Sequence, residues 1–296
     1  MSILTVENLS KTYGNIQALK NVSFSVPEGT VFGILGPNGS GKTTTLGTIT
    51  DILKPTSGSY QLFDEPPSAA SRRKIGTLLE TPNFYHYLSG VKNLEIAAEI
   101  KRHGKEDIDK VLETVDLTRR KDSKFSTYSL GMKQRLAIAS CLLGNPSVLV
   151  FDEPTNGLDP VGIAEIRELM KKLYREGKTI IMASHLLDEV EKVCSHVAIL
   201  KRGELITSGK VNEILSNEDI VEVSAADNKK LFEVLQRMND KTKVTDDNSV
   251  IKMFFPVGTA DLAAVNDFCY NNGIILNHLI LKKKSLEARF FELTNN

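Results

Sequence analysis

Short unbroken apolar runs in the chain include Val31-Phe32-Gly33-Ile34-Leu35, Val148-Leu149-Val150-Phe151 and Ile180-Ile181-Met182-Ala183. Apolar runs this short, bounded by turn residues, predict strands buried on both faces, as in a parallel sheet. Between them the period becomes helical. One stretch runs through Cys141 and stops at Gly144-Asn145-Pro146; another spans Pro160–Arg175, with Gly177 placed to end it. Strands alternating with helices predict a parallel sheet with helices on its faces. Ahead of Gly36, strand signals alternate with turns such as Pro27-Glu28-Gly29, which predicts an antiparallel portion, and residues 84–128 read as mostly helical, notably 91–103 and 108–115. After about residue 216 the pattern restarts as a strand at Ile220-Val221-Glu222-Val223, a helix over 229–238, a strand over 250–255, a helix over 260–270 and a strand over 274–281. That βαββαβ-like order predicts a small ferredoxin-like α+β domain, followed by helical spacing over 285–293. The expected division is a first domain of residues 1–215 and a second of 216–296.

The first apolar run leads into Gly36-Pro37-Asn38-Gly39-Ser40-Gly41-Lys42-Thr43, and a helix is expected to begin at Thr44-Thr45-Leu46. This is the full P-loop pattern in its strand-to-helix setting. Its glycines let the backbone curl into a nest of N–H donors at a helix N-terminus, where a phosphate chain binds. Lys42 supplies a charge for the β- and γ-phosphates, and the Thr43 hydroxyl is placed to ligate Mg²⁺. The second run ends in Asp152-Glu153, two carboxylates delivered to the C-terminal edge of a buried strand. Asp152 suits Mg²⁺, and on an extended chain Glu153 would point away from it, toward an attacking water. The third run ends in Ser184-His185, while Ser129 in Tyr128-Ser129-Leu130-Gly131-Met132 is a candidate helix N-cap and Pro160 a first helical residue after Asn156-Gly157-Leu158-Asp159.

Taken in order, these motifs resemble the ATP-binding cassette family over roughly the first three quarters of the chain. The resemblance implies a P-loop NTPase cassette with an antiparallel β subdomain and a helical subdomain, the latter facing a membrane partner. It implies that Tyr13 stacks on adenine, that Gly36 through Thr44 form the Walker A loop, and that Ser129 and Gly131 are the γ-phosphate contacts of the signature. Asp152 then resembles the Walker B aspartate, Glu153 the catalytic glutamate, Asp159 the D-loop acid and His185 the switch histidine. Two departures narrow the match. The signature keeps only the serine and the second glycine of Leu-Ser-Gly-Gly-Gln, and Glu80 stands where the family has a glutamine. An ionised Glu80 offers only acceptors and adds charge beside Mg²⁺. With the run Glu80-Thr81-Pro82-Asn83-Phe84-Tyr85, these features resemble the subgroup that exports bacitracin and lantibiotic-type peptides.

Composition excludes little and adds one constraint. Lys plus Arg and Asp plus Glu are 37 each, which gives no global field for nucleic acid or acidic lipid. The chain shows no long apolar stretch and starts without signal-peptide features, so it is expected to be soluble, cytoplasmic and peripheral on the membrane through a separate permease. Cys141, Cys194 and Cys269 lack metal-ligand spacing and read as reduced thiols. The expected activity is hydrolysis of ATP, with Mg²⁺, by a head-to-tail cassette homodimer driving that permease. The competing class is a soluble cassette clamp on nucleic acid or ribosomes. The coiled-coil insertion, zinc modules or tandem cassettes that accompany that class are not visible in the sequence.

Overall fold

The computed structural model describes residues 1–79, 83–215, 219–238, 243–247, 250–256, 258–283, 286 and 290. The chain divides into two compact units, Met1–Lys210 and Val211–Asn296, so the break falls after Lys210 rather than after Leu215.

The first unit opens with a long hairpin of β1 (Ser2–Tyr13) and β2 (Ile16–Pro27), followed by β3 (Val31–Leu35), α1 (Lys42–Ile49) and β4 (Ser57–Leu62). Strands β2, β1 and β4 form an antiparallel sheet in that order. Then come α2 (Ala69–Arg73), β5 (Ile75–Leu78), α3 (Gly90–Lys101), α4 (Ile108–Thr114), α5 (Leu130–Leu142), β6 (Val148–Asp152), α6 (Pro160–Arg175), β7 (Thr179–Ser184), α7 (Leu187–Val193), β8 (His196–Lys201) and β9 (Glu204–Lys210). The second sheet has the order β5-β6-β7-β3-β8-β9, parallel except for β9. Every residue of β3, β6 and β7 is buried, which is why these strands read as unbroken apolar runs. One core joins the two sheets: Leu4, Val6, Val22 and Phe24 pack with Phe32, Ile34, Val150 and Ile181, and the Phe24 and Phe32 rings stack at 5.6 Å.

Helix ends follow local chemistry. The Ser129 hydroxyl accepts from Met132 N at 3.3 Å to cap α5, and Asp159 accepts from Gly162 N at 2.8 Å to cap α6, whose first residue is Pro160. Gly177, at φ 88°, ends α6 with Lys178 N donating to Leu173 O at 3.1 Å. Helices α3 and α4 pack on α5. The buried end of α5 is closed by the Lys101 ammonium, which donates to Ser140 O at 2.6 Å. Burial pushes the pKa of Lys101 down and raises that of the neighbouring Cys141 thiol to about 12. All three cysteines are free and buried, so they act as small apolar groups.

The second unit contains α8 (Val211–Leu215), β10 (Asp219–Ala225), α9 (Asn228–Leu235), β11 (Lys243–Asp247), β12 (Val250–Phe255), α10 (Leu262–Asn271) and β13 (Leu276–Lys283). Its four strands pair antiparallel in the order β11-β12-β10-β13, the ferredoxin-like arrangement. Val221, Val223, Ile251 and Met253 pack against Leu231, Leu235, Val265 and Cys269. β11 is the strand that apolar patterning did not reveal, because Lys-Val-Thr-Asp-Asp at a sheet edge is mostly polar. The helical spacing over 285–293 lies outside the described residues apart from 286 and 290. No helix among the described residues is long and apolar enough to cross a membrane.

Each unit has its own buried cluster. Ending the chain at Lys210 is therefore expected to leave a cooperatively folded first unit with nucleotide affinity within a few-fold of the full chain. Circular dichroism with a nucleotide titration tests this; a folded truncate that has lost binding would show that the second unit supports the site.

Candidate functional site

β6, β7 and β3 are neighbours in the sheet, so the loops leaving their C-terminal ends meet at one edge, where open α/β sheets bind ligands. The loop after β3 is the P-loop. It is held in shape by close approaches that exclude side chains: a Cβ on Gly41 would lie 2.7 Å from Leu19 Cδ2 and 2.8 Å from Ala18 O, at φ 105°. A Cβ on Gly36 would overlap Leu200 O and Ser40 Oγ. Gly41 serves as the N-cap, and α1 starts at Lys42, two residues before the expected Thr44-Thr45-Leu46, because Gly41 O already accepts from Thr45 N at 2.8 Å. The early start puts Lys42, Thr43 and Thr44 in the first turn, where backbone N–H groups are unsatisfied within the helix and can meet an anion.

A cavity of about 560 Å³ opens over this turn, lined by Asn38, Gly39, Ser40, Gly41, Lys42, Thr43, Thr44, Ile16, Gln17, Ala18, Lys20, Glu153 and Arg202. Lys42 is 6% exposed. Its ammonium donates to Gly36 O at 2.9 Å and lies 3.4 Å from Glu153 Oε1. Glu153 Oε2 is 2.9 Å from His185 Nδ1 and accepts from His185 N at 3.4 Å. One carboxylate thus bridges the P-loop lysine and the histidine that follows β7.

Glu153 is not extended. It lies just past the end of β6 with φ 48°, a left-handed conformation that is uncommon for glutamate. Its N–H donates to Ala183 O at 3.0 Å and its carbonyl accepts from Asn156 N at 3.0 Å. These bonds fix the turn that brings the carboxylate to Lys42 and His185. The alternation expected of a strand therefore does not govern Glu153, because the strand has ended. Asp152, at the end of β6, is buried, whereas the Thr43 side chain is exposed at the start of α1. Among the described residues no group of three or more His, Cys, Asp or Glu is arranged to hold a metal. Of the two oxygen donors expected for Mg²⁺, Thr43 lines the cavity, whereas Asp152 ends β6 and does not line it; both are hard ligands of the type Mg²⁺ takes in small number beside its waters.

Other candidates lie apart from this contact chain. Tyr13 is 44% exposed at the end of β1, with Lys11 Nζ 5.1 Å from its ring centroid, and does not line the cavity. Ser129 and Gly131, at the start of α5, do not line it either. Glu80 lies outside the described residues. Ile16, Gln17, Ala18, Lys20 and Arg202 also line the cavity, and no motif in the sequence marks them.

A second concavity, about 350 Å³, lies on the helical part between residues 83–85 and α3, with Phe84, Tyr85, Ile96 and Ile100 in its wall. Asn93, 2% exposed, holds its rim: the side chain accepts from Tyr85 N at 2.8 Å and donates to Tyr85 O at 3.1 Å. Tyr85 and Ile100 remain 51% and 78% exposed, which makes this an apolar surface of the kind partners cover.

Comparison with known proteins places these features in a context. The family profile described as ABC transporter matches residues 19–156. The bacitracin transport ATP-binding protein BcrA of Enterococcus faecalis is 34% identical over 297 residues, covering 98% of this chain and 96% of that protein. The lantibiotic transport ATP-binding protein SrtF of Streptococcus pyogenes is 36% identical over 226 residues, 74% of this chain and 99% of that one. Among solved structures, a dimeric ATP-binding cassette in a post-hydrolysis state with ADP and Pi is similar at TM-score 0.63 and 31% identity, covering 70% of this chain and 98% of that one.

Proposed function

The chain belongs to the family of ABC transporter ATP-binding proteins and is an ATPase, and from that premise we propose that it powers a membrane exporter of antimicrobial peptides. The observation that carries the catalytic part of the proposal is the contact chain Lys42–Glu153–His185 beneath the P-loop cavity.

In this reading the backbone N–H groups of residues 38–44 cradle the phosphates and Lys42 turns from Gly36 O and Glu153 to the β- and γ-phosphates. Glu153, released from Lys42, accepts the proton of the attacking water, and His185 holds the carboxylate in place through its 2.9 Å contact. Thr43 and Asp152 would hold Mg²⁺, which supplies charge neutralisation of the phosphates. Ser129 and Gly131 act on the nucleotide of a second copy: they are exposed or partly exposed at a helix N-terminus and do not line the cavity of their own chain. The dimer is then head to tail, with ATP between copies.

The permease docks on the apolar concavity beside α3, whose exposed Tyr85 and Ile100 need a cover, and this holds the protein at the cytoplasmic face of the membrane. Peptide export is supported by the extent of the likeness. The match to the bacitracin transport protein runs through both units, whereas the solved cassette accounts for 70% of the chain.

Glu80 is the residue whose substitution tests the subgroup, since it precedes by three positions the Asn83 that lines the docking surface. Glu80→Gln is expected to leave ATP affinity within a few-fold of the parent while bacitracin or lantibiotic survival falls in cells carrying the matched permease, and Glu80→Ala is expected to be worse. Affinity, ATPase rate and survival are measured for both. Parent values in all three assays would make Glu80 an incidental loop residue; no peptide protection by the parent itself would remove the peptide-export assignment.

A further inference from the structure

The hairpin joining β8 to β9 turns in two residues, Arg202 and Gly203, since Lys201 pairs with Glu204 across it. Both turn residues have positive φ, 51° and 84°. This is the geometry in which Asn-Gly is favoured at a tight hairpin, because only small or locally hydrogen-bonding residues accept the left-handed conformation without strain. Gly203 also has a packing reason: a Cβ there would lie 2.7 Å from Ala18 O. Arg202 has no such local reason. A long, charged residue at the first position breaks the turn rule, and such breaks gather at functional positions.

The turn is tied to the P-loop. Gly203 N donates to Ser40 O at 3.1 Å, and Gly203 O accepts from Lys20 N at 2.8 Å. Arg202 is thereby fixed on the wall of the nucleotide cavity. The charges lining that cavity are Lys20, Lys42, Arg202 and Glu153. Lys20 is paired with Glu204 at 2.9 Å, holding that carboxyl below its usual range, and Lys42 is paired with Glu153 at 3.4 Å. Arg202 has no carboxylate partner among the described residues. It is the cation of the cavity that a polyanion can engage without displacing an internal pair.

We propose that Arg202 is a phosphate-binding residue of the nucleotide site, presented by a strained two-residue turn that the P-loop itself holds in place. The inference rests on the reading of the cavity as the ATP site. Its guanidinium supplies a fixed positive charge and a planar fork of donors to the phosphate chain.

The left-handed turn gives a clean test, because glycine suits φ 51° and removes only the side chain. ATP affinity is measured for the full-length parent, Arg202→Gly and Arg202→Lys at about 50 mM and about 500 mM salt, with the melting temperature of each. Arg202→Gly is expected to bind ATP roughly 5- to 20-fold more weakly at low salt, with the difference narrowing at high salt and no loss of melting temperature. Arg202→Lys is expected to keep most of the affinity. Binding by Arg202→Gly within about twofold of the parent at low salt, or a loss that salt does not narrow, would overturn the assignment. A parent chain that fails to bind ATP would instead overturn the reading of the cavity.

Discussion

Glu153→Gln is expected to slow ATP hydrolysis roughly 10²- to 10⁴-fold while ATP still binds, and to accumulate an ATP-bound dimer. The amide is nearly the same shape as the carboxylate but cannot take a proton from water. The structure sharpens the expectation, because the carboxylate also faces Lys42 at 3.4 Å and His185 at 2.9 Å. Removing its charge frees Lys42 from its internal competitor, so ATP affinity should hold or rise rather than fall. Glu153→Asp separates position from charge. It keeps a carboxylate but withdraws it by one methylene, and a large loss of rate there would show that reach is critical. Steady-state ATPase rates, nucleotide affinity and size-exclusion profiles decide the matter; a Glu153→Gln rate within a few-fold of the parent would remove Glu153 from the role of general base.

Lys42→Ala is expected to weaken nucleotide binding and abolish turnover, since the buried P-loop ammonium is lost. It also leaves Gly36 O without the donor it now has at 2.9 Å, so a modest loss of thermal stability accompanies the functional one. Ser129→Ala should be inactive for a different reason. Ser129 does not line the cavity of its own chain, and in the head-to-tail reading proposed above its target is the nucleotide of the other copy. Mixing inactive Lys42→Ala chains with inactive Ser129→Ala chains should therefore restore a fraction of activity. In a mixed dimer one composite site keeps both residues. Mixed dimers shown to form by differential tagging, yet with no recovered ATPase activity, would count against a shared site.

The P-loop, the Asp152-Glu153 pair and His185 could be read from the chain because each follows an apolar run long enough to mark a buried strand. A strand end is a local property, and parallel strands carry all such ends to one edge. The cap at Ser129, the helix start at Pro160 and the stop at Gly177 are legible for the same reason: each depends on its own residue and the next turn. What lay beyond sequence was whatever depended on residues distant along the chain. The left-handed turn at Glu153 is set by a bond to Ala183 and aimed at Lys42, contacts that span the sheet. β11 was missed because an edge strand needs few apolar residues to pair with its neighbour. Arg202 entered the cavity only because the β8–β9 turn bonds to Ser40, and no pattern near Arg202 announces Ser40. The sequence by itself determined the buried strands of the first unit, the phosphate-binding loop and the acids at the strand ends, since these follow from local periodicity and turn chemistry. Only the tertiary structure decided that Lys42, Glu153 and His185 touch and that Arg202 lines the same cavity as Lys42 and Glu153, because long-range hydrogen bonds and close packing, not local preference, bring those residues together.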